Sequence, residues 1–386
     1  MPLPRLARVG IACWLIVHTG TLPATNAAVL RERLPDNAVQ PQVALDGVGG
    51  LHRIWLSGDP KSGDIYYQKA IDPSLGTWSS AVRVNTRTGA AIAIGTVRGA
   101  RLAIGSDLTV HVLWNGSSAS KLDDKGNVPL LYARRPAGAT PFEPERNLLG
   151  ASYGLDGGAA LVSTADGGVA AVWHGSPSHA KSEGDRQVYV AFSPDGGVRF
   201  EGERAIAPQS GTCGCCGLSA TLSAQGKLLI LYRQAIETTQ RGMALIVSDI
   251  HGEHAGVREL QPWPTATCPM STSTAIRSHG RSQISWETEG KISVAALDAS
   301  GQLEDQGIVV SKSTGSKHPA LATNDRGETL VCWTEGTGWQ RGGRLSWVVL
   351  DAKGQPTVEK GSQPGIPVWG HPAAYAKPSG DFVILY

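Results

Sequence analysis

The sequence predicts an all-β chain folded as one β-propeller of seven blades, with six as the alternative count. Three observations carry this expectation. An aromatic residue closes a short apolar run seven times, at Trp55, Trp114, Trp173, Tyr232, Trp286, Trp333 and Tyr386. The intervals are 59, 59, 59, 54, 47 and 53 residues. Six residues before each aromatic stands a glycine (Gly49, Gly167, Gly226, Gly280, Gly327, Gly380), with Leu108 as the exception. Repetition at such a period marks an architecture in which each unit buries its apolar face against its neighbours.

In chain order, Arg5 and Arg8 precede the apolar run 11–17, and small polar residues follow to position 28. This is the layout of a secretory signal peptide. Residues 1–27 are therefore expected to be removed, and residues 28–386 to form a single domain, periplasmic or secreted. No stretch is long enough to span a bilayer. Net charge is +2 with no basic run, which argues against a nucleic-acid partner.

Within each unit, a first run of alternating small apolar residues (319–323) meets a turn, Asn324-Asp325-Arg326-Gly327, and then a second run (328–333). Glycine at that turn supplies the positive φ of a tight hairpin. A variable loop leads to a third run, such as Val188-Tyr189-Val190-Ala191-Phe192, and a weaker fourth run closes the unit. Four short antiparallel strands repeated radially make propeller blades. First and second runs occur seven times, third and fourth runs six times. The segment 28–37 is expected to supply an outer strand to 372–386 and so close the ring.

The turn Ser193-Pro194-Asp195-Gly196-Gly197-Val198-Arg199-Phe200 resembles the Asp-box (BNR repeat) of the sialidase superfamily, with Phe in place of its usual Trp. Weaker versions stand at 72–78, 248–252, 298–301 and 351–354. The resemblance covers nearly the whole chain after residue 27 and implies a sialidase-like propeller. It places this turn on the face away from the active site, as a structural element whose Asp caps its own turn.

In a propeller the first strands line a central channel, so the loops entering them cluster round one mouth. Fifteen residues before the aromatic markers stand Gln40, Gly99, Gly158, Gly217, Ser271, His318 and His371. Cys213, Cys215 and Cys216, then Cys268 and Met270, fall at nearly the same height on neighbouring blades. These four cysteines with Met270, His318 and His371 form the expected metal site. Thiolates and a thioether select Cu(I); zinc is the second choice if cysteine and histidine alone bind. A disulfide from Cys213 or Cys216 to Cys268, stapling adjacent blades, is the competing reading for an exported chain. Cys332, inside a strand, is expected to be a buried inert thiol. Loops after the second strands bring His174, His179, Arg233, Glu287 and Glu335 to the same mouth. Arg233, directly after Tyr232, is the expected anion binder.

An exo-sialidase of the family implied by the resemblance needs an arginine triad, a tyrosine nucleophile with its glutamate, and an acid. Where the family carries Phe-Arg-Ile-Pro, this chain reads Ala38-Val39-Gln40-Pro41; where it carries the last-blade tyrosine, this chain has His371-Pro372. The fold is expected without the hydrolysis. The Cys-x-Cys-Cys run and the later Cys268-Pro269 also resemble those of a group of bacterial sialidase-like propellers. Three functions stand at this point: a monomeric copper-binding propeller, a glycoside hydrolase, and a disulfide-stapled scaffold. The scaffold would hold a periplasmic protein or small ligand at the channel mouth.

Overall fold

All seven marker hairpins turn through a residue with positive φ. In the computed structural model, which describes residues 27–95, 98–123, 126–153, 155–177, 182–207 and 211–386, these values run from 75° at Gly226 to 91° at Gly167 for the six glycines. Leu108, the exception in sequence, takes the same left-handed conformation at 65°. The turn dictates the backbone; glycine meets it freely, and leucine must bear the Cβ crowding. Six residues on, every marker aromatic is buried, and Trp173 and Tyr232 are fully so. Burying side chains of this size contributes about 1.5–3 kcal/mol each.

The blades follow the chain. Blade 1 contains Ala38–Leu45, Leu51–Asp59 and Ser62–Asp72, with Thr77–Trp78 and Val82–Arg83 along its outer edge. Blades 2 to 6 are four-stranded and begin at Arg101–Ile104, Ala160–Ser163, Ser219–Leu222, Thr274–Ser278 and Ser316–Thr323. Blade 7 holds Ala373–Ala376 and Phe382–Leu385. Each first strand packs against the first strands of both neighbours, so the ring of seven is closed round an axis. Among the described residues the only helical turn is the 3-10 segment Glu183–Asp185.

Closure uses the segment expected from sequence. Val29–Glu32 pairs in parallel with Phe382–Leu385, with Val29 opposite Phe382 and Glu32 opposite Leu385. Leu34 N donates to Tyr386 O at 3.0 Å, and Ala28 N donates to the Asp381 carboxylate at 3.0 Å. Of the expected signal peptide, residues 1–26 lie outside the described residues, as does His179. Among the described residues no helix is long and apolar enough to cross a membrane.

The turn 193–200 is held as its sequence suggests. Ser193 Oγ donates to Asp195 Oδ1 at 2.8 Å, and Arg199 N donates to the same oxygen at 2.9 Å. The Arg199 amide and the Ser193 hydroxyl hold the Asp195 pKa below its ordinary value. Phe200, in the tryptophan position, packs edge-on against Tyr132 with ring centroids 5.0 Å apart.

Candidate functional site

The loop carrying Cys213, Cys215 and Cys216 enters blade 4 and is anchored on three sides. Cys213 N donates to Arg233 O at 3.0 Å, and Gly214 N to Glu183 Oε1 at 2.7 Å. Gly157 N, from blade 3, donates to Gly214 O at 2.8 Å. Gly217 N donates to Ser271 O at 3.1 Å, tying the loop to the entry of blade 5. The glycines here serve close approach rather than an unusual φ: a side chain at Gly157 would collide with the Cys216 carbonyl and the His174 ring.

Cys215 is bonded to Cys268, so a disulfide joins blades 4 and 5. This corrects both sequence expectations. Neither Cys213 nor Cys216 is the bridging partner, and Cys215 and Cys268 are not free thiolates in this oxidised form. Cys268 lies on an exposed loop while Cys215 is half-buried, so the bond reaches from the surface inward. Cys213 and Cys216 are free, buried thiols. Sequence spacing could not choose among three cysteines within four residues; the pairing depends on which of them faces the neighbouring blade.

The three sulfurs of the loop lie within 4.8 Å of one another, and Cys213 Sγ is 3.5 Å from Cys215 Sγ. Cys213 and Cys216 are also hydrogen-bonded and titrate as a pair. Its bond to Cys216, reinforced by burial, raises the Cys213 pKa. Burial pushes Cys216 upward too, but the Cys213 hydrogen bond and the Arg233 guanidinium outweigh it and lower its pKa. Cys332 is buried in blade 6, as expected, with its pKa raised by burial.

Around these sulfurs sits a ring of charge. Arg233 is 2% exposed, and its guanidinium is committed within the protein. It donates to Arg241 O at 2.7 Å and to Glu287 O, faces the Glu287 carboxylate at 3.6 Å, and lies over the Trp263 ring at 5.0 Å. Glu287, itself 1% exposed, accepts from Gly290 N at 2.7 Å. Arg241 pairs with Glu183 at 2.7 Å. Lys317 donates to Pro269 O at 2.6 Å, and burial lowers its pKa. His174 is buried, with Nε2 3.0 Å from Cys216 O. Glu335 accepts from Trp333 Nε1 at 3.0 Å. Sequence reasoning missed Glu183 and Arg241, which stand in variable loops with no position in the repeat.

His318 and His371 meet at the axis, with ring centroids 6.2 Å apart. His318 and Gln40 each occupy a left-handed conformation, φ 54° and 57°, where the register of the first strand shifts. A bulge of this kind re-aims a side chain. Gln40 Nε2 donates to Ala93 O at 2.8 Å and to Trp369 O at 2.9 Å, bracing blades 1 and 7. Burial lowers the pKa of both histidines, that of His371 to about 4. Met270, half-buried with φ 47°, precedes Ser271 at the entry of blade 5. The close group of sulfurs is formed by the three loop cysteines, with Cys268 attached through Cys215, and among the described residues no histidine joins it.

No protein-family model matches the chain, and no curated protein is similar to it in sequence. Its fold is that of known propellers. An α-L-arabinanase from Penicillium chrysogenum superposes with a TM-score of 0.52 at 15% identity, covering 86% of this chain and 96% of that one. A sialidase from Trypanosoma rangeli gives 0.53 at 13% identity, covering 82% and 57%. A lectin from Burkholderia pseudomallei gives 0.56 at 12% identity, covering 83% of each. At this level of identity the likeness is one of fold.

Proposed function

We propose that this protein is a sialidase-like propeller that binds Cu(I) through the thiols of its blade 4 entry loop and does not hydrolyse sialosides. The supporting observation is the cluster itself: three sulfurs within 4.8 Å of one another, two of them buried thiols. Soft thiolates select Cu(I), and the all-sulfur group suits copper better than the mixed cysteine–histidine set that zinc would use. One Cu(I) on two or three thiolates carries net negative charge; beside it Arg233, Arg241 and Lys317 outnumber their partners Glu287 and Glu183, leaving one positive charge in surplus. The disulfide gives Cys268 a different role from that expected: it caps Cys215 and withholds one ligand until an external thiolate attacks the sulfur of Cys268, on its exposed loop, forming a mixed disulfide there as the Cys215–Cys268 bond breaks and Cys215 leaves as thiolate. It also supports a periplasmic or secreted location, where such bonds persist.

Competition against a Cu(I) chelator tests this. Reduced wild type should hold copper more tightly than the oxidised protein. Cys216→Ser and Cys213→Ser should weaken binding by more than the roughly 10- to 100-fold lost with a merely supporting residue. Cys268→Ser should bind copper with or without reductant, and Cys332→Ser should match wild type. Equal retention by wild type and a Cys213/Cys215/Cys216 triple serine variant would discard the copper site. The scaffold reading, favoured by the inter-blade disulfide, would then stand, with a protein or small ligand at the mouth.

Absence of hydrolysis rests on the mouth chemistry. Arg233 is spent on Glu287 and backbone carbonyls, Val39 and Gln40 replace the family's blade 1 arginine segment, and His371 replaces its tyrosine. Release of a fluorogenic aglycone from a sialoside should stay far below about 1 s⁻¹, the low end of ordinary turnover. Turnover at that rate would restore the hydrolase.

A further inference from the structure

Beyond the histidine pair the axis opens into a cavity of about 350 Å³, walled by the first strands of the blades. It runs from His371 toward the first hairpins, where Leu45, Ser278 and Thr323 line its far end, away from the cysteine loop. Small residues recur round its walls, Ala44, Ala160, Ala320 and Ala373 with Ser219 and Thr274 between them, alongside larger apolar ones such as Leu102 and Leu321. No carboxylate lines it. Two arginines do: the half-buried Arg101, from the first strand of blade 2, and Arg277, exposed beside Ser278 on the first strand of blade 5.

Arg101 is held in place by one contact, Nε donating to Ala159 O at 2.7 Å. Its Nη2 is buried and has no hydrogen-bond partner, and the arginine forms no ion pair with any described acidic group. Burial alone pulls its pKa down, to about 10, which leaves the side chain fully charged at neutral pH. Arg101 is half-buried, whereas the buried Arg53, Arg233 and Arg241 are each matched by a carboxylate, from Glu32, Glu287 and Glu183. A charge removed from water is costly unless it is paired and hydrogen-bonded. Arg101 has the fork of donors that fits an oxyanion and faces a cavity with no negative group of its own. The volume lies near the lower end of small-molecule sites, roughly 300–1,000 Å³.

We propose that the axial cavity is a binding site for a small oxyanion, a carboxylate-, phosphate- or sulfate-sized group, held by the Arg101 guanidinium among the alanine walls. It is independent of the thiol cluster, because it lies on the other side of the histidine pair and uses none of the cysteines. Alanine at the recurring wall positions leaves the space open, and Arg101, rather than the exposed Arg277, fixes where the charged end sits.

Isothermal titration of the full chain with inorganic phosphate, sulfate and acetate, each at constant ionic strength, tests the site. Wild type should show saturable one-to-one binding of at least one of the three, with a matching rise in melting temperature. Arg101→Met should abolish both. In anion-free buffer it should melt no lower than wild type, since it removes a half-buried charge that no carboxylate compensates. Arg101→Lys keeps the charge without the fork and should weaken binding at least about tenfold, one step of 1.4 kcal/mol. Cu(I) retention should be unchanged in both variants, so failure here is separable from failure of the copper site. If Arg101→Met does not fold, the wild-type titration decides alone. No saturable binding of any of the three anions, or equal binding by wild type and Arg101→Lys, overturns the proposal.

Discussion

Lowering the pH from 7 to 4 is expected to unfold the propeller. His111, His174 and His371 are buried, and burial lowers the pKa of each to about 4. His52 and His318 are shifted in the same direction by the same cause. In the unfolded chain each imidazole takes up its proton near pH 6.5; in the folded chain it resists until about 4. The unfolded state therefore binds more protons across this window. The stability contributed by these histidines is complete above about 6.5 and is lost as the pH falls toward 4. A shift of this size is worth about 3 kcal/mol per histidine, and three of them approach the roughly 5–15 kcal/mol that holds a domain together. Tryptophan fluorescence followed against pH should show a cooperative transition between about 4 and 6. His111 bonds only Tyr132 Oη, at 2.7 Å, and His111→Gln should move the midpoint down. A flat signal from pH 6.5 to 4 would mean that these imidazoles are not held neutral.

Arg233→Met should cost about 3–5 kcal/mol, the usual penalty for stranding one partner of a buried ion pair. It leaves the Glu287 carboxylate, 2% exposed, without its cation. It also removes the donor to Arg241 O that steadies the end of the loop between the second and third strands of blade 4. Adding Glu287→Leu should recover most of the loss, because the second change removes the stranded charge. Urea denaturation of wild type, the two single variants and the double variant measures this directly. A single variant within about 1 kcal/mol of wild type would show that the pair is solvated and that Arg233 is available to a ligand after all. The same substitution should raise the Cys216 pKa, readable as slower alkylation of reduced protein at pH 7.

The repeat was legible because each marker answers to backbone geometry. The hairpin needs a left-handed residue and the blade interface needs a large aromatic, so glycine and tryptophan recur wherever a blade recurs. Leu108 shows the limit of reading letters rather than geometry: it breaks the pattern in sequence and obeys it in conformation. Counting blades by register also brought the cysteine loop, Cys268 and the two axial histidines to one end of the ring. It failed on what lies across the axis. Height along a strand does not say which way a side chain turns, so Arg233 read as a free cation and is a buried ion pair. The sulfurs and the histidines, level in sequence, separated into a side cluster and an axial pair. Arg101 stood two residues further into its strand than the mouth, among alanines and serines that carry no chemical signal.

The parallel pairing of Val29–Glu32 with Phe382–Leu385 makes closure of the ring the step expected last in folding. The two partners are separated by almost the whole chain: Ala28 bonds Asp381 across 353 positions. Contacts this distant form late, since the entropy of closing so large a loop must be met before they return any energy. Until then blade 7 is a bare hairpin whose last strand, all four residues buried in the final ring, presents an open edge. An open apolar edge accepts any compatible strand, including the first strand of another copy. A ring-shaped protein latched in this way is most exposed to exchange between molecules in the moments before it shuts. Crowding at that stage would yield linked dimers whose blades are intact and whose latches are swapped.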